Sequence, residues 1–291
     1  MFAVKLWGGL GNQMFQYAFA LHLAKSRNDF PYFFTDGVDQ NLADFAINNF
    51  NLDLAKLPVQ TQKSLGYNFN NNLHYRLIRK SLQMFPFLNR KILVEKGLEY
   101  KSSFSEMSVL FDGYWQSYKY IASIEDQLRE KLVFKDLKLN ELYNYEEIVS
   151  SNSVSLHIRK GDYLKGKNVN IFEACPLAYY IKAVNLIKAK IELPVFFVFS
   201  NDLNWAKENL KFEDNVELRF VDNSKYKDPT IADIFLMSKC KHNIIANSTF
   251  SWWGAWLNSF TNKIIIAPAK WYVGVLNKVT VDLIPPNWIR L

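Results

Sequence analysis

Ser155-Leu156-His157-Ile158-Arg159-Lys160-Gly161-Asp162-Tyr163 carries an alternating, largely apolar stretch straight into a cluster of charge. The alternation, which begins at Val154, fits a β-strand, and Lys160-Gly161-Asp162 fits the turn that ends it. In open α/β sheets ligands gather outside the carboxyl ends of the strands. The stretch therefore delivers a His, an Arg and an Asp to the place where a substrate would sit. An arginine there suits a phosphate, because its planar fork meets two oxygens at once and its charge does not titrate away. Taken alone, the cluster reads equally well as a structural Arg159–Asp162 pair at a strand end.

Working outward, the same pattern recurs through the C-terminal half. Pro194 to Phe199 reads as a strand ending at Ser200-Asn201-Asp202, and Val216 to Val221 as a strand with Asp222 at its end. Asn243 to Ala246 is a strand that stops at Asn247-Ser248-Thr249-Phe250-Ser251, after which Trp252 to Leu257 continues as a helix. Helices are expected over Pro176 to Lys190, Leu203 to Leu210 and Asp228 to Lys239, the last bearing Asp233, with a final strand at Lys263 to Ala267. Arg159, Ser200, Asp222 and Ser248 would then converge on one crevice.

In the N-terminal half, Val4 to Trp7 is a strand that runs into Gly8-Gly9-Leu10-Gly11-Asn12-Gln13 and a helix from Met14 to Ala24. Strand, glycine-rich turn and helix bring backbone N–H groups close to an anion or a sugar, although three glycines before a helix also mark an ordinary tight turn. The spacing is not the G-x-G-x-x-G of a dinucleotide site. Pro31 to Phe34 is a second strand, ending at Thr35-Asp36. Signals from Leu42 to Leu110 are mixed, with a helical patch at His74 to Met84. Val109 to Asp112 leads into Gly113-Tyr114-Trp115-Gln116, read either as core or as part of a sugar-binding wall. Ile121 to Phe134 reads as one amphipathic helix, and the polar run Asn140 to Asn152 as a domain boundary. Alternating strands and helices predict two βαβ-type domains facing each other, residues 1–150 and 151–291.

The chain has 291 residues, 49% hydrophobic and 16% aromatic, with a formal charge of +7. A basic balance favours an anionic partner, but the excess is spread out and no Lys/Arg block marks a nucleic-acid arm. Cys175 and Cys240 lie far apart in no ligand spacing, which fits a reducing cytosol. No apolar run is long enough to span a membrane. There is no Cys-x-x-Cys, His-Glu-x-x-His or Asp-x-Asp pair, so a metal-independent site is expected. Residue types alone assign three parts of a nucleotide-sugar site. Arg159, with Ser248, Thr249 and nearby N–H groups, would hold a diphosphate; Asp222 or Asp233 would accept the paired N–H donors of a guanine edge; Asn12 and Gln13 would meet the sugar.

Gly8 to Ala18, His157-Ile158-Arg159-Lys160-Gly161-Asp162-Tyr163 and Ile245-Ala246-Asn247-Ser248-Thr249-Phe250-Ser251-Trp252-Trp253 resemble the motifs of bacterial α-1,2-fucosyltransferases, glycosyltransferase family 11. Fainter echoes lie at Gly113 to Gln116, Asp233 to Met237 and Pro268 to Trp271, in the family's order. The resemblance implies a GT-B-like α/β fold, two Rossmann-like domains facing across a cleft, with acceptor binding in residues 1–150 and GDP-fucose binding in 151–291. It implies an inverting, metal-independent transfer of L-fucose from the co-substrate GDP-β-L-fucose to a galactose-type hydroxyl, with no cofactor. The donor set would be Gly9, Gly11, Asn12, Gln13, Arg159, Ser200, Asp222, Asp233, Asn247, Ser248, Thr249, Phe250 and Ser251, and the acceptor set Tyr114, Trp115 and Gln116. The family's His-x-Arg-x-x-Asp element maps onto His157, Arg159 and Asp162, with the arginine on the phosphates. Lys160 departs from the family, which usually shows a second Arg, and is read as an outward-facing charge.

Inversion needs a base near the acceptor hydroxyl; Asp36 is preferred, ahead of Asp162, and His157 is expected to support the turn more than the chemistry. Animal members carry an anchor ahead of the first motif, where this chain begins, so a cytoplasmic bacterial enzyme is expected, with at most a peripheral hold on the inner membrane face. Acceptors compatible with the sequence are galactose-containing oligosaccharides, O-antigen repeats and lipid-linked glycans. The competing classes are a non-catalytic carbohydrate-binding protein and, well behind it, a single-stranded nucleic-acid binder.

Overall fold

A computed structural model describes residues 1–35, 46–52, 54–56, 58, 60–61, 65, 73–135, 137–160, 174–212, 216–274, 277 and 280–291. Two compact units divide the chain: Met1–Lys135 with Val279–Leu283, and Asp136–Lys278 with Ile284–Leu291.

The first unit contains β1 (Phe2–Lys5), α1 (Leu10–Arg27), β2 (Pro31–Phe34), α2 (Leu73–Met84), β3 (Ile92–Val94), β4 (Leu110–Asp112), α3 (Tyr118–Ala122) and α4 (Glu125–Lys131). Its strands form a parallel sheet in the order β2-β1-β4-β3. All four residues of β1 are buried, as expected of a parallel strand covered on both faces. Gly8 makes the turn out of β1 at φ +78°, and a Cβ there would lie 2.8 Å from the Asn12 amide nitrogen, so only glycine fits both the backbone and the space. α1 ends where Asn28, in the left-handed region, returns its N–H to the Ala24 carbonyl.

Much of the aromatic content is spent on this core. Phe19 stacks on Trp115 with centroids 4.0 Å apart, and the edges of Phe104, Phe111 and Tyr120 close around Phe19. The helix expected over Ile121 to Phe134 is two helices, α3 and α4. Ser117 caps α3 by accepting from Lys119 N–H, and the turn between them bonds Ile124 N–H to the Ile121 carbonyl while burying the Ile124 side chain. Late in the chain, Asp282 ties down this unit. Its carboxylate accepts from Tyr100 N–H at 3.1 Å and pairs with Lys119, and its carbonyl accepts from Tyr118 N–H at 2.8 Å.

The second unit contains α5 (Tyr145–Ser150), β5 (Asn152–Ile158), α6 (Leu177–Lys188), β6 (Pro194–Ser200), α7 (Leu203–Asn209), β7 (Glu217–Phe220), α8 (Pro229–Lys239), β8 (His242–Ile244), α9 (Thr249–Leu257), β9 (Ile265–Ala267) and β10 (Ile289–Arg290). The strands are parallel in the order β10-β9-β8-β5-β6-β7. The polar run Asn140 to Asn152 folds onto this unit: α5 buries Ile148, and Glu147 accepts from the Arg219 Nε at 2.8 Å. The alternation in β5 has two buried faces. Val154, Leu156 and Ile158 join Tyr180, Ala183 and Ile187 of α6 in one apolar cluster. On the other face Ser155 accepts from Asn243, whose own amide oxygen accepts from Asn258, both at 2.7 Å. Buried polar groups persist only when so paired, which is why this face of the strand reads as polar without meeting water. Among the described residues no helix is long and apolar enough to cross a membrane.

Candidate active site

The second sheet's carboxyl edge gathers most of the sequence-predicted donor residues. β5 and β8 are neighbours, with Leu156 opposite Ile244, so Arg159, just past β5, emerges beside Asn247 to Ser251, just past β8. Ser248 occupies the N-cap of α9 without a side-chain capping bond, and the first turn of α9 holds no acidic residue. The first-turn N–H groups of a helix and its dipole make such a start favourable to an anion, and the Arg159 guanidinium, half-buried at the neighbouring strand end, adds a fixed positive charge. The arrangement suits a diphosphate.

Several neighbours serve the frame. His157 is buried, its ring 5.8 Å from that of Phe250. Burial, with the Arg159 charge adding to it, pushes its pKa down to about 3, so it is neutral and too weak a base to take a proton at neutral pH. It packs as a strut between β5 and α9. Asn247 is also buried and spends its amide on the Trp271 carbonyl at 3.0 Å and the Cys175 thiol at 3.4 Å. Ser251 turns its hydroxyl back to the Ser248 carbonyl at 3.3 Å. Thr249 and Phe250 are half-buried at the helix start. Ser200 accepts from Asp202 N–H at 3.0 Å and Asp202 caps α7 through Trp205 N–H, also at 3.0 Å, so both shape the turn after β6. Lys160, half-exposed, lays its ammonium 3.3 Å from the centroid of the Trp205 ring, a cation–π contact, and its backbone N–H donates to the Asn201 side-chain oxygen at 3.0 Å.

The two candidate base-reading carboxylates have unlike settings. Asp222 is exposed, and hydrogen bonds from Ser224 hold it below its ordinary range. Asp233, on α8, accepts from Asn223 at 2.8 Å; burial raises its pKa to about 7, against the Asn223 bond and with a push from the Asp222 charge. Asp36 and Asp162 lie outside the described residues.

In the first unit, the glycine-rich turn is held by amides. Gln13 donates to the Gly8 carbonyl at 2.7 Å and accepts from Ile47 N–H at 3.4 Å; Asn12 accepts from Gln116 at 2.9 Å. Gln16, not singled out from the sequence, receives Trp7 N–H at 2.9 Å and donates to the Gly113 carbonyl at 3.0 Å. Gln13 and Gln116 are buried, and their amides hold the turn. Gly9 is exposed, with nothing within 4 Å of where a Cβ would stand, while Gly11 is buried inside α1. Trp115 is 1% exposed and belongs to the core. Tyr114 is half-buried and stacks on Trp7 at 4.2 Å.

Sequence reading missed a charged cluster at this sheet's carboxyl edge. Lys5, the last residue of β1, donates to the Tyr75 hydroxyl, which donates to Asp112, the last residue of β4, both at 2.6 Å. Arg79 approaches the other Asp112 oxygen at 3.4 Å. Burial lowers the Lys5 pKa to about 8, against the Asp112 charge and with help from Arg79. Glu95, just past β3, accepts Tyr114 N–H at 2.6 Å and Trp115 N–H at 3.1 Å, and its pKa rises to about 7 through burial, with those bonds opposing. The signals were a lysine inside the apolar run Phe2 to Leu6 and an acid at the end of each of two short apolar runs. Among the described residues no group of three or more His, Cys, Asp or Glu side chains is placed to hold a metal ion.

Two Rossmann-like α/β units, one with an anion-favouring strand edge, define a GT-B-like glycosyltransferase. The chain belongs to glycosyl transferase family 11, whose profile matches residues 1–291. It is 34% identical over 313 residues to the O-antigen biosynthesis glycosyltransferase WbnK of Escherichia coli, covering 98% of this chain and 99% of that one. It is 32% identical over 296 residues to an Alpha-1,2-colitosyltransferase of Escherichia coli, covering 99% and 97%. The crystal structure of fucosyltransferase NodZ from Bradyrhizobium shares the fold, with a TM-score of 0.52 at 13% identity over 87% of this chain and 92% of that one. Family membership sets aside the non-catalytic sugar-binding alternative.

Proposed function

We propose that the enzyme transfers L-fucose from GDP-β-L-fucose, with inversion and without a metal, to the 2-hydroxyl of a galactose-type acceptor. The observation that carries this reading is Arg159 emerging beside the start of α9 at one strand edge. As the glycosidic bond breaks, the sugar gains oxocarbenium character and the departing diphosphate gains charge. A guanidinium and a helix start aimed at that oxygen bind the departing group more strongly than the ground state, which is how they lower the barrier. Asp233 is the better candidate for the guanine edge, being half-buried and already oriented by Asn223. Tyr114, with Trp7 beneath it, is the aromatic surface offered to an acceptor sugar. Asp36 remains the proposed base, with Asp162 orienting Arg159.

A second reading replaces fucose by colitose, which lacks the 3-hydroxyl; the colitosyltransferase relative favours it. The test is GDP release in the presence of EDTA, with GDP-fucose or GDP-colitose as donor and a panel of galactose-terminated acceptors. Acceptor-dependent turnover of GDP-fucose above GDP-colitose is expected. The reverse order assigns the donor to colitose, and absence of turnover with either overturns the donor class.

A further inference from the structure

α2 turns Tyr75 and Leu82 inward, and its other face carries Arg76, Leu77, Lys80 and Met84, all exposed. Leu77, Lys80 and Met84, three and then four residues apart, form one stripe along the helix. The chain leaves the helix through Phe85-Pro86-Phe87-Leu88, a short 3₁₀ turn at Pro86–Leu88 with no buried residue. Phe87 is 69% exposed, Met84 and Leu88 59% each, Leu77 57% and Phe85 46%. The Phe85 and Phe87 rings meet edge to face at 5.9 Å, so they support each other at the surface instead of folding inward. Arg90 and Lys91, both exposed, follow at once. From Leu73 to Val94 the chain contains no Asp or Glu.

Neighbouring apolar side chains this far out of a fold mark a surface that something covers. A second copy of the chain would set these cations against their own kind. A bilayer rich in anionic head groups matches both parts: Phe, Leu and Met enter the boundary between head groups and acyl chains while Arg and Lys pair with phosphates. We propose that the tip formed by α2 and Phe85 to Lys91 docks the enzyme on anionic phospholipid membranes. The inference is independent of the donor assignment, because its readout needs no turnover.

The experiment is flotation of the full chain with vesicles of phosphatidylcholine alone, or of phosphatidylcholine mixed with phosphatidylglycerol. Two doubly substituted variants accompany it, Phe87→Ser with Leu88→Ser and Arg90→Glu with Lys91→Glu. The wild type is expected to float with the mixed vesicles, less so at high salt, and to stay in solution with the neutral ones. Each variant should lose about tenfold or more in apparent affinity while binding GDP as the wild type does. Absence of wild-type binding to mixed vesicles overturns the proposal, as does equal binding by all three proteins. Self-association lost in the serine variant, without vesicle binding, would assign the tip to a second copy and overturn it too.

Discussion

At the carboxyl edge of the first sheet, Lys5, Asp112 and Arg79 are drawn together through Tyr75, whereas at the edge of the second Arg159 stands beside a helix start that holds no acid. Both edges occupy the part of an α/β sheet where ligands collect, yet they solve opposite problems. The first draws two cations onto one buried carboxylate, at the desolvation cost that lowers the Lys5 pKa. The second sets a guanidinium beside a helix start, an arrangement that favours an anion. A cluster at a strand end is therefore read by the groups packed around it as well as by its position.

Arg159→Ala breaks this comparison most directly. It should lower transfer by about 100-fold or more and abolish saturable GDP binding in calorimetry, with thermal unfolding little changed; intact GDP binding would refute the assignment. Asp112→Ala is its counterpart in the first unit. The fully buried carboxylate leaves Lys5 and Arg79 facing each other, so urea denaturation should show a loss of about 3–5 kcal/mol. A loss confined to turnover, with stability intact, would make the cluster a ligand site instead.

Gly113→Ala tests the frame of the first unit. A Cβ there would lie 2.4 Å from the Glu95 Cβ, and the forced shift of the turn should cost about 1–3 kcal/mol in the same assay. Asp222→Asn, at an exposed turn, should change stability by no more than about 0.5 kcal/mol, and a GDP affinity that drops sharply would move the guanine-reading role from Asp233 to Asp222.

Each unit holds an acid that burial keeps protonated towards neutrality. Glu95 keeps its proton to about pH 7 in the fold, against an ordinary value of 4.5. Between those values the folded state binds more protons than the unfolded one, so this group's contribution to stability falls as pH rises and levels off above. In the second unit Asp233 acts in the same sense, while His157, at about 3 against 6.5, acts oppositely: the unfolded state takes the proton first, and stability falls as pH drops below 6.5. The melting temperature of Glu95→Gln relative to wild type should therefore rise between pH 5 and pH 8, and a constant offset would show that Glu95 does not titrate in this window.

The second unit was legible because its two central strands are long and run out into polar residues: β5 and β6 span seven residues each. The first unit's β3 and β4 are three residues each, too short for a period to declare itself, and the cluster at this edge joins Lys5 of β1 to Tyr75, 70 residues further along the chain. Residue type alone does not separate ligand contact from framework at Gln13, Gln116, Trp115 and Asn247. An amide or indole that suits a sugar suits a buried turn or core equally well, and only the partners at hand distinguish them. His157 shows the same limit, since its motif position is real but burial removes its basicity.

Asp282 gives the clamp that holds Tyr100, Tyr118 and Lys119 an awkward place in time. A ribosome supplies every strand of the first sheet early, then β5 through β9, and only afterwards the residue that fastens the first unit. Domains generally fold as they emerge, N-terminal first, but here the first unit to be synthesised must wait for almost the last stretch of chain before it closes. Neither unit is encoded by one contiguous segment, so expressing the first half alone should yield a protein permanently short of its final fastening.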